Sequence, residues 1–112
     1  MPAATYNLTI DQGSDFNIDL VVKEGGSVKN LTGYSARAQL RAKRDSSTAA
    51  ASFDCTVTSA LEGKIRMQLS NATSSGISAG RYYYDLEIYT ATDAIVKRLI
   101  QGEVTLNQEV TR

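Results

Sequence analysis

The side chains that could do chemistry are few. Asp85 and Glu87 stand two apart in a run of alternating residues, and Asp11, Asp15 and Asp19 recur every four residues around Gln12-Gly13-Ser14. A carboxylate pair can carry acid–base work on a glycosidic bond, and clustered carboxylates can offer oxygen ligands to calcium. On a strand, however, residues two apart share one face, and solvent-facing carboxylates are commonplace there. The spacing of Asp11, Asp15 and Asp19 matches no EF-hand loop. Histidine is absent, which removes the commonest general base and the most frequent transition-metal ligand. Cys55 is the only cysteine, so no intrachain disulfide can form. It shares the parity of Phe53 and Val57 and reads as a small buried hydrophobe. No glycine-rich nucleotide loop or cysteine ligand cluster occurs. No enzymatic activity, catalytic residue, cofactor or metal is therefore expected.

What remains is chemistry of contact. In Tyr82-Tyr83-Tyr84 the outer two share the parity of Leu86 and Ile88 and belong inside. Tyr83 and Tyr89 then point outward with Asp85 and Glu87 between them. Exposed tyrosines beside charges suit a protein interface, because tyrosine gives large area at low entropy cost. They could also stack on sugar rings, so a carbohydrate-binding module stays open as the reading from another class. The second candidate surface is a basic row, Arg37, Arg41 and Lys43, opposite the small inward residues Ala36, Ala38 and Ala42. Five residues are thus the candidate contacts: Arg37, Arg41, Lys43, Tyr83 and Tyr89.

The elements that must position these residues follow a period of two. Tyr6, Leu8 and Ile10 alternate with polar neighbours, and so do Phe16, Ile18, Leu20 and Val22. Gly25-Gly26 and Leu31-Thr32-Gly33 break the pattern as turns do. Residues 35–43 alternate strictly, which favours strand over helix despite good helix formers. As an edge strand, this segment could be extended by a partner's strand. Residues 44–49 are polar and loop-like. Phe53, Cys55 and Val57, then Ile65, Met67 and Leu69, mark two further strands. Residues 70–80 read as a crossing loop with one helical turn capped by Ser70 or Asn71. Residues 81–90 and 95–106 are the last strands, and Gly102 marks a bulge or a close backbone approach. About seven or eight strands at roughly 10–15-residue spacing argue for an all-β, antiparallel sandwich or a small barrel.

With 112 residues, 42% hydrophobic and 21% charged, the chain is expected to be one globular domain, 1–112. Segments 1–4 and 108–112 are expected as flexible tails that order on a partner. Twelve basic and twelve acidic side chains give a formal charge of zero. No basic excess is available for nucleic acid, and little self-repulsion opposes packing of copies side by side. No stretch has the length and apolarity of a signal peptide or a membrane span, so cytoplasmic synthesis and no membrane partner are expected. Three Asn-X-Thr matches, at Asn7, Asn30 and Asn71, read as chance in the absence of a secretory route.

Three stretches together carry a resemblance: Tyr6-Asn7-Leu8-Thr9-Ile10-Asp11-Gln12-Gly13, then Leu31 to Arg41 (LTGYSARAQLR), then Gly80 to Ile88 (GRYYYDLEI). With the closing Arg98 to Leu106 (RLIQGEVTL) and Val110-Thr111-Arg112, they resemble small tailed-phage virion proteins. The β-sandwich of that family is similar to the N-terminal domain of baseplate upper proteins. The resemblance implies an immunoglobulin-like sandwich acting in several copies as a structural subunit. Its place would be the virion, as an adaptor at the tail, baseplate or fibre-attachment site, with other virion proteins as partners. A capsid decoration or neck protein is the alternative within the same class. The family brings no catalytic residues.

Overall fold

The computed structural model describes residues 4–110. The N-terminal run is β1 (Ala4–Thr5) and β2 (Leu8–Asp11), followed by β3 (Phe16–Val21). A small hairpin of β4 (Lys23–Glu24) and β5 (Ser27–Val28) leads to β6 (Ser35–Arg41). Next come β7 (Ala51–Ser59) and β8 (Lys64–Leu69). The single-turn helix α1 (Asn71–Ser75) precedes β9 (Gly80–Tyr89), and a 3₁₀ turn at Ala91–Asp93 leads into β10 (Val96–Asn107).

Alternation sets which face of each strand is buried. In β9, Tyr82, Tyr84, Leu86 and Ile88 are buried, while Tyr83, Asp85, Glu87 and Tyr89 are part-exposed. In β8 it is Ile65, Met67 and Leu69 that go inside. The β4–β5 turn needs positive φ at both central residues, which Gly25 (63°) and Gly26 (84°) supply without steric cost. Helix α1 is capped by Ser70, whose hydroxyl accepts from the Thr73 amide at 3.3 Å.

The strands join in the order β1–β10–β9–β6–β7–β8–β3, with β2 beside β1 on the outer edge of β10. β7 turns the corner between two layers. Its first residues pair with β6 (Leu40 opposite Ala51, Ala38 opposite Phe53) and the remainder with β8 (Cys55 opposite Met67). The layers β1/β2–β10–β9–β6 and β7–β8–β3 close over a core that includes Ile10, Leu40, Met67, Leu86 and Val104. Leu31, Ile65 and Ile88 form a second cluster. Phe53 packs edge-on against Tyr84, with ring centroids 6.2 Å apart. Burying each such side chain contributes about 1.5–3 kcal/mol. The chain is an all-β, immunoglobulin-like sandwich.

Several expectations are corrected in detail. Pairing is not antiparallel throughout, because β1 and β2 run parallel to β10. Only the same two-residue alternation is visible in a strand of either sense, so sequence could not tell them apart. Residues 35–43 are not an edge: β6 pairs with β9 from Ser35 to Arg41 and with β7 over Ala38 to Leu40. The outer strands of the sheet are instead β3 at one end and β1 and β2 at the other. Strand β6 stops at Arg41, which leaves Ala42 exposed rather than inward. Tyr6 is also outward, 49% exposed, in the break between β1 and β2.

Gly102 is a close approach. A methyl group there would fall on the Tyr6 carbonyl and lie 2.9 Å from Asn7 Oδ1. The irregularity in the β9–β10 register lies elsewhere, between Arg98 and Ile100. Of the expected flexible tails, Ala4 is paired in β1, and the Glu109 amide donates to Gln12 Oε1 at 3.0 Å. Residues 1–3 and 111–112 of those tails lie outside the described residues.

Candidate functional site

The outward side chains of β6, β9 and β10 form cross-strand rows. Arg37, Glu87 and Arg98 make one row, and Gln39, Asp85 and Gln101 the next. Arg41, Tyr83 and Glu103 follow, with Ser35, Tyr89 and Val96 at the other end. The β9–β10 bulge restores parity, so Arg98 and Gln101 both line up with outward residues of β9 although they are three apart in sequence.

Both candidate tyrosines carry an arginine. The Arg37 guanidinium lies 4.3 Å from the Tyr89 ring centroid, and its Nε is 2.8 Å from Glu87 Oε1. The Arg44 guanidinium lies 4.9 Å from the centroid of Tyr83. Such stacking at exposed sites is worth about 0.5–1 kcal/mol and fixes how the rings are presented. Arg41 donates from Nη1 to the Ser46 carbonyl (2.9 Å) and from Nη2 to Gln39 Oε1 (2.8 Å), tying the β6–β7 loop to the strand. Arg98 pairs with Asp85 at 3.1 Å, and Arg81 faces Glu103 at 3.9 Å.

Four of the five candidate contacts, Arg37, Arg41, Tyr83 and Tyr89, therefore share one face. Lys43 does not join their rows. It lies past the end of β6, where its amide donates to Ser46 Oγ at 3.1 Å. Two members of the face escaped sequence reading. Arg44 sits in a loop without periodicity, and Arg98 lies on the far side of the bulge, which breaks the two-residue count. Between them is a concavity of about 300 Å³, lined by Gln39, Arg41, Arg44, Tyr83, Asp85 and Arg98 among others.

The carboxylates weighed for catalysis or calcium are engaged separately. Asp85 and Glu87 each face their own arginine. Asp11 accepts from Asn107 Nδ2 (3.1 Å), and Asp15 from the Asn71 amide (2.8 Å) and side chain. Asp19 pairs with Arg66 at 2.8 Å, and that hydrogen bond holds its carboxyl below the usual range. Among the described residues, no three of His, Cys, Asp and Glu are grouped so as to hold a metal. Cys55 is half-buried, and burial, with Asp54 beside it, pushes its thiol up to about 11. At neutral pH it is a thiol rather than a nucleophilic thiolate. Among the described residues, no helix is long and apolar enough to cross a membrane.

A second concavity, of about 1040 Å³, opens between β3 and the start of β10, lined by Leu20, Val22, Leu99 and Ile100 with Lys29 and Lys97 nearby. Glu24 bridges those two lysines across it, at 3.1 and 3.7 Å.

No protein-family model and no curated protein matches this chain. Three solved structures align over most of the chain. A crystal structure of Listeria monocytogenes InlP aligns over 94% of this chain at 17% identity with a TM-score of 0.50. A family 123 glycoside hydrolase from Clostridium perfringens aligns over 97% at 10% identity, TM-score 0.47. The extracellular domain of the voltage-gated sodium channel β4 subunit aligns over 98% at 11% identity, TM-score 0.42. The chain spans 28% of the length of the InlP structure and 24% of the hydrolase, while it covers 97% of the β4 domain. At 17% identity the likeness to the InlP structure is one of architecture alone.

Proposed function

We propose that this chain is a non-enzymatic structural protein of a tailed-phage virion, an adaptor at the tail, baseplate or fibre-attachment site that works by protein–protein assembly. The observation that carries the assembly reading is the β6–β9–β10 face. There two tyrosines, each stacked with an arginine, flank paired carboxylates on a surface formed by three hydrogen-bonded strands. Tyrosine and arginine are the residue types enriched where proteins bind one another, and the sheet carries both tyrosines and Arg37, so little backbone entropy is lost there on docking. The virion assignment rests on the sequence resemblance over residues 6–13, 31–41, 80–88 and 98–106.

Capsid decoration or a neck position is the alternative within this class, since the same face would serve either. The carbohydrate-binding reading draws less support. It needs bare ring faces at Tyr83 and Tyr89, whereas a guanidinium occupies one side of each.

The test is antibody labelling of purified virions viewed by electron microscopy, with mass spectrometry of the same particles. Label at the tail end is the expected result. Label on the head or neck moves the assignment to decoration. Particles without label and without the protein overturn the virion reading, and binding of the isolated domain on a glycan array would put the sugar-binding module in its place.

A further inference from the structure

We infer that the concavity between Arg41, Arg44 and Arg98 receives an acidic segment of a partner protein, binding Asp or Glu side chains. This deepens the assembly reading and rests on it. Three guanidinium groups and one carboxylate, Asp85, line the concavity, although the chain as a whole has no net charge. Asp85 is engaged by Arg98. Among the described residues, neither Arg41 nor Arg44 pairs with a carboxylate: the former holds a backbone carbonyl and a glutamine amide, and the latter lies on the Tyr83 ring. A guanidinium carries five N–H donors in a planar fork, so most of the donors of Arg41 and Arg44 remain for a ligand. That fork matches a carboxylate through two parallel hydrogen bonds.

Shape and charge spacing favour a peptide over other anions. A continuous polyanion such as DNA carries a charge about every 1.7 Å along its axis. Laid across this face it would meet Asp85, Glu87 and Glu103 between the arginines. A peptide with one or two acidic side chains can set them on Arg41 and Arg44, with Asp85 held by Arg98 beside them, and stays clear of Glu87 and Glu103. The amides of Gln39 and Gln101 can bond to its backbone. Arg41 is set by two hydrogen bonds, and Arg44 has one ring contact. The bonds to Ser46 and Gln39 hold Arg41, which lowers the entropy lost when it binds.

The experiment is titration of the full chain with end-blocked hexaglutamate, followed by calorimetry and by NMR of the arginine side-chain N–H signals. Hexaglutamine, a short single-stranded DNA and sialyllactose serve as comparison probes. The expected result is salt-sensitive binding of hexaglutamate, with the signals of Arg41, Arg44 and Arg98 moving. Arg44→Gln, alone and with Arg41→Gln, should weaken it at least about tenfold. Arg66→Gln, on the other layer beside Asp19, should leave it unchanged. Arg44 is an exposed loop residue, so its substitution leaves the fold intact as judged by an unchanged thermal midpoint. Absence of binding, equal binding by the Arg41→Gln/Arg44→Gln variant, or tighter binding of the DNA or the sialylated sugar would overturn the inference. Virions that contain the protein, with no response to hexaglutamate, would refute this site alone. Hexaglutamate binding by a protein absent from virions would refute the virion reading and leave the site standing.

Discussion

Replacing Gly102 with alanine should detach the N-terminal strand. Gly102 lies opposite Tyr84 in the β9–β10 ladder, and β1 and β2 run along the other side of β10. A Cβ at position 102 would overlap the Tyr6 carbonyl and lie 2.9 Å from Tyr6 C. These are backbone atoms, so no side-chain rotation relieves the contact. That carbonyl accepts the Tyr84 hydroxyl at 2.5 Å, and the Tyr6 amide donates to the Gln101 carbonyl at 2.9 Å. Displacing Tyr6 loses both bonds, at about 0.5–1.5 kcal/mol each, and adds about 1–3 kcal/mol of packing strain. Alanine returns about 0.4–1 kcal/mol by restricting the unfolded chain. The net cost is about 1–5.6 kcal/mol, and at roughly 4–8 °C per kcal/mol for a domain near this size the melting temperature should fall by at least about 4 °C. Tyr84→Phe should cost about 1–3 kcal/mol, since it leaves the Tyr6 carbonyl without its partner. The decisive assay is urea unfolding of both single variants and the double variant. Because Gly102→Ala has already removed the Tyr84–Tyr6 bond, Tyr84→Phe should cost little more on top of it. A neutral Gly102→Ala, or a double variant whose loss equals the sum of the two singles, would refute the coupling.

Two further outcomes follow from the same interior. Burial raises the Tyr84 hydroxyl from 10 to about 12. Its folded pKa exceeds the unfolded one, so the stabilisation is complete below pH 10 and is lost as pH rises through about 12. Ultraviolet titration of tyrosinate should show a late-ionising component that Tyr84→Phe removes, and a titration unchanged by that substitution would count against it. Ser74 is fully buried, and its hydroxyl accepts from the Gly13 amide at 3.0 Å while donating to the Ser14 carbonyl at 2.9 Å. Ser74→Ala should cost about 1–3 kcal/mol by leaving those groups unpaired, with amide exchange at Gly13 accelerating ahead of the rest of the core. Unchanged protection there would show that α1 is not what holds the β2–β3 turn.

Much of the sandwich was legible in the residues one by one. Strict alternation in 81–90 and 64–69 set which side chains go inside, because a strand puts neighbours on opposite faces whatever it pairs with. Gly25-Gly26 announced its turn, since positive φ at two successive positions asks for glycine. The same alternation put Tyr83 and Tyr89 on one face with Asp85 and Glu87, where the structure has them. It could not say which strands lie beside one another. Pairing joins residues as far apart as Leu8 and Val104, and nothing local records whether a neighbour runs parallel, as β2 does, or whether a strand such as β6 lies inside the sheet. Gly102 was visible as an anomaly, but only the arrival of Tyr6 from the opposite end of the chain told a close approach from a bulge. The contact face divides in the same way. Its tyrosines and Arg37 and Arg41 were read from parity, whereas Arg44 and Arg98 joined them through a loop return and a bulge. Sequence by itself therefore determined the faces, which depend on each strand's own geometry. Only tertiary structure decided the neighbours, because strand pairing is chosen by the whole chain closing over one shared core.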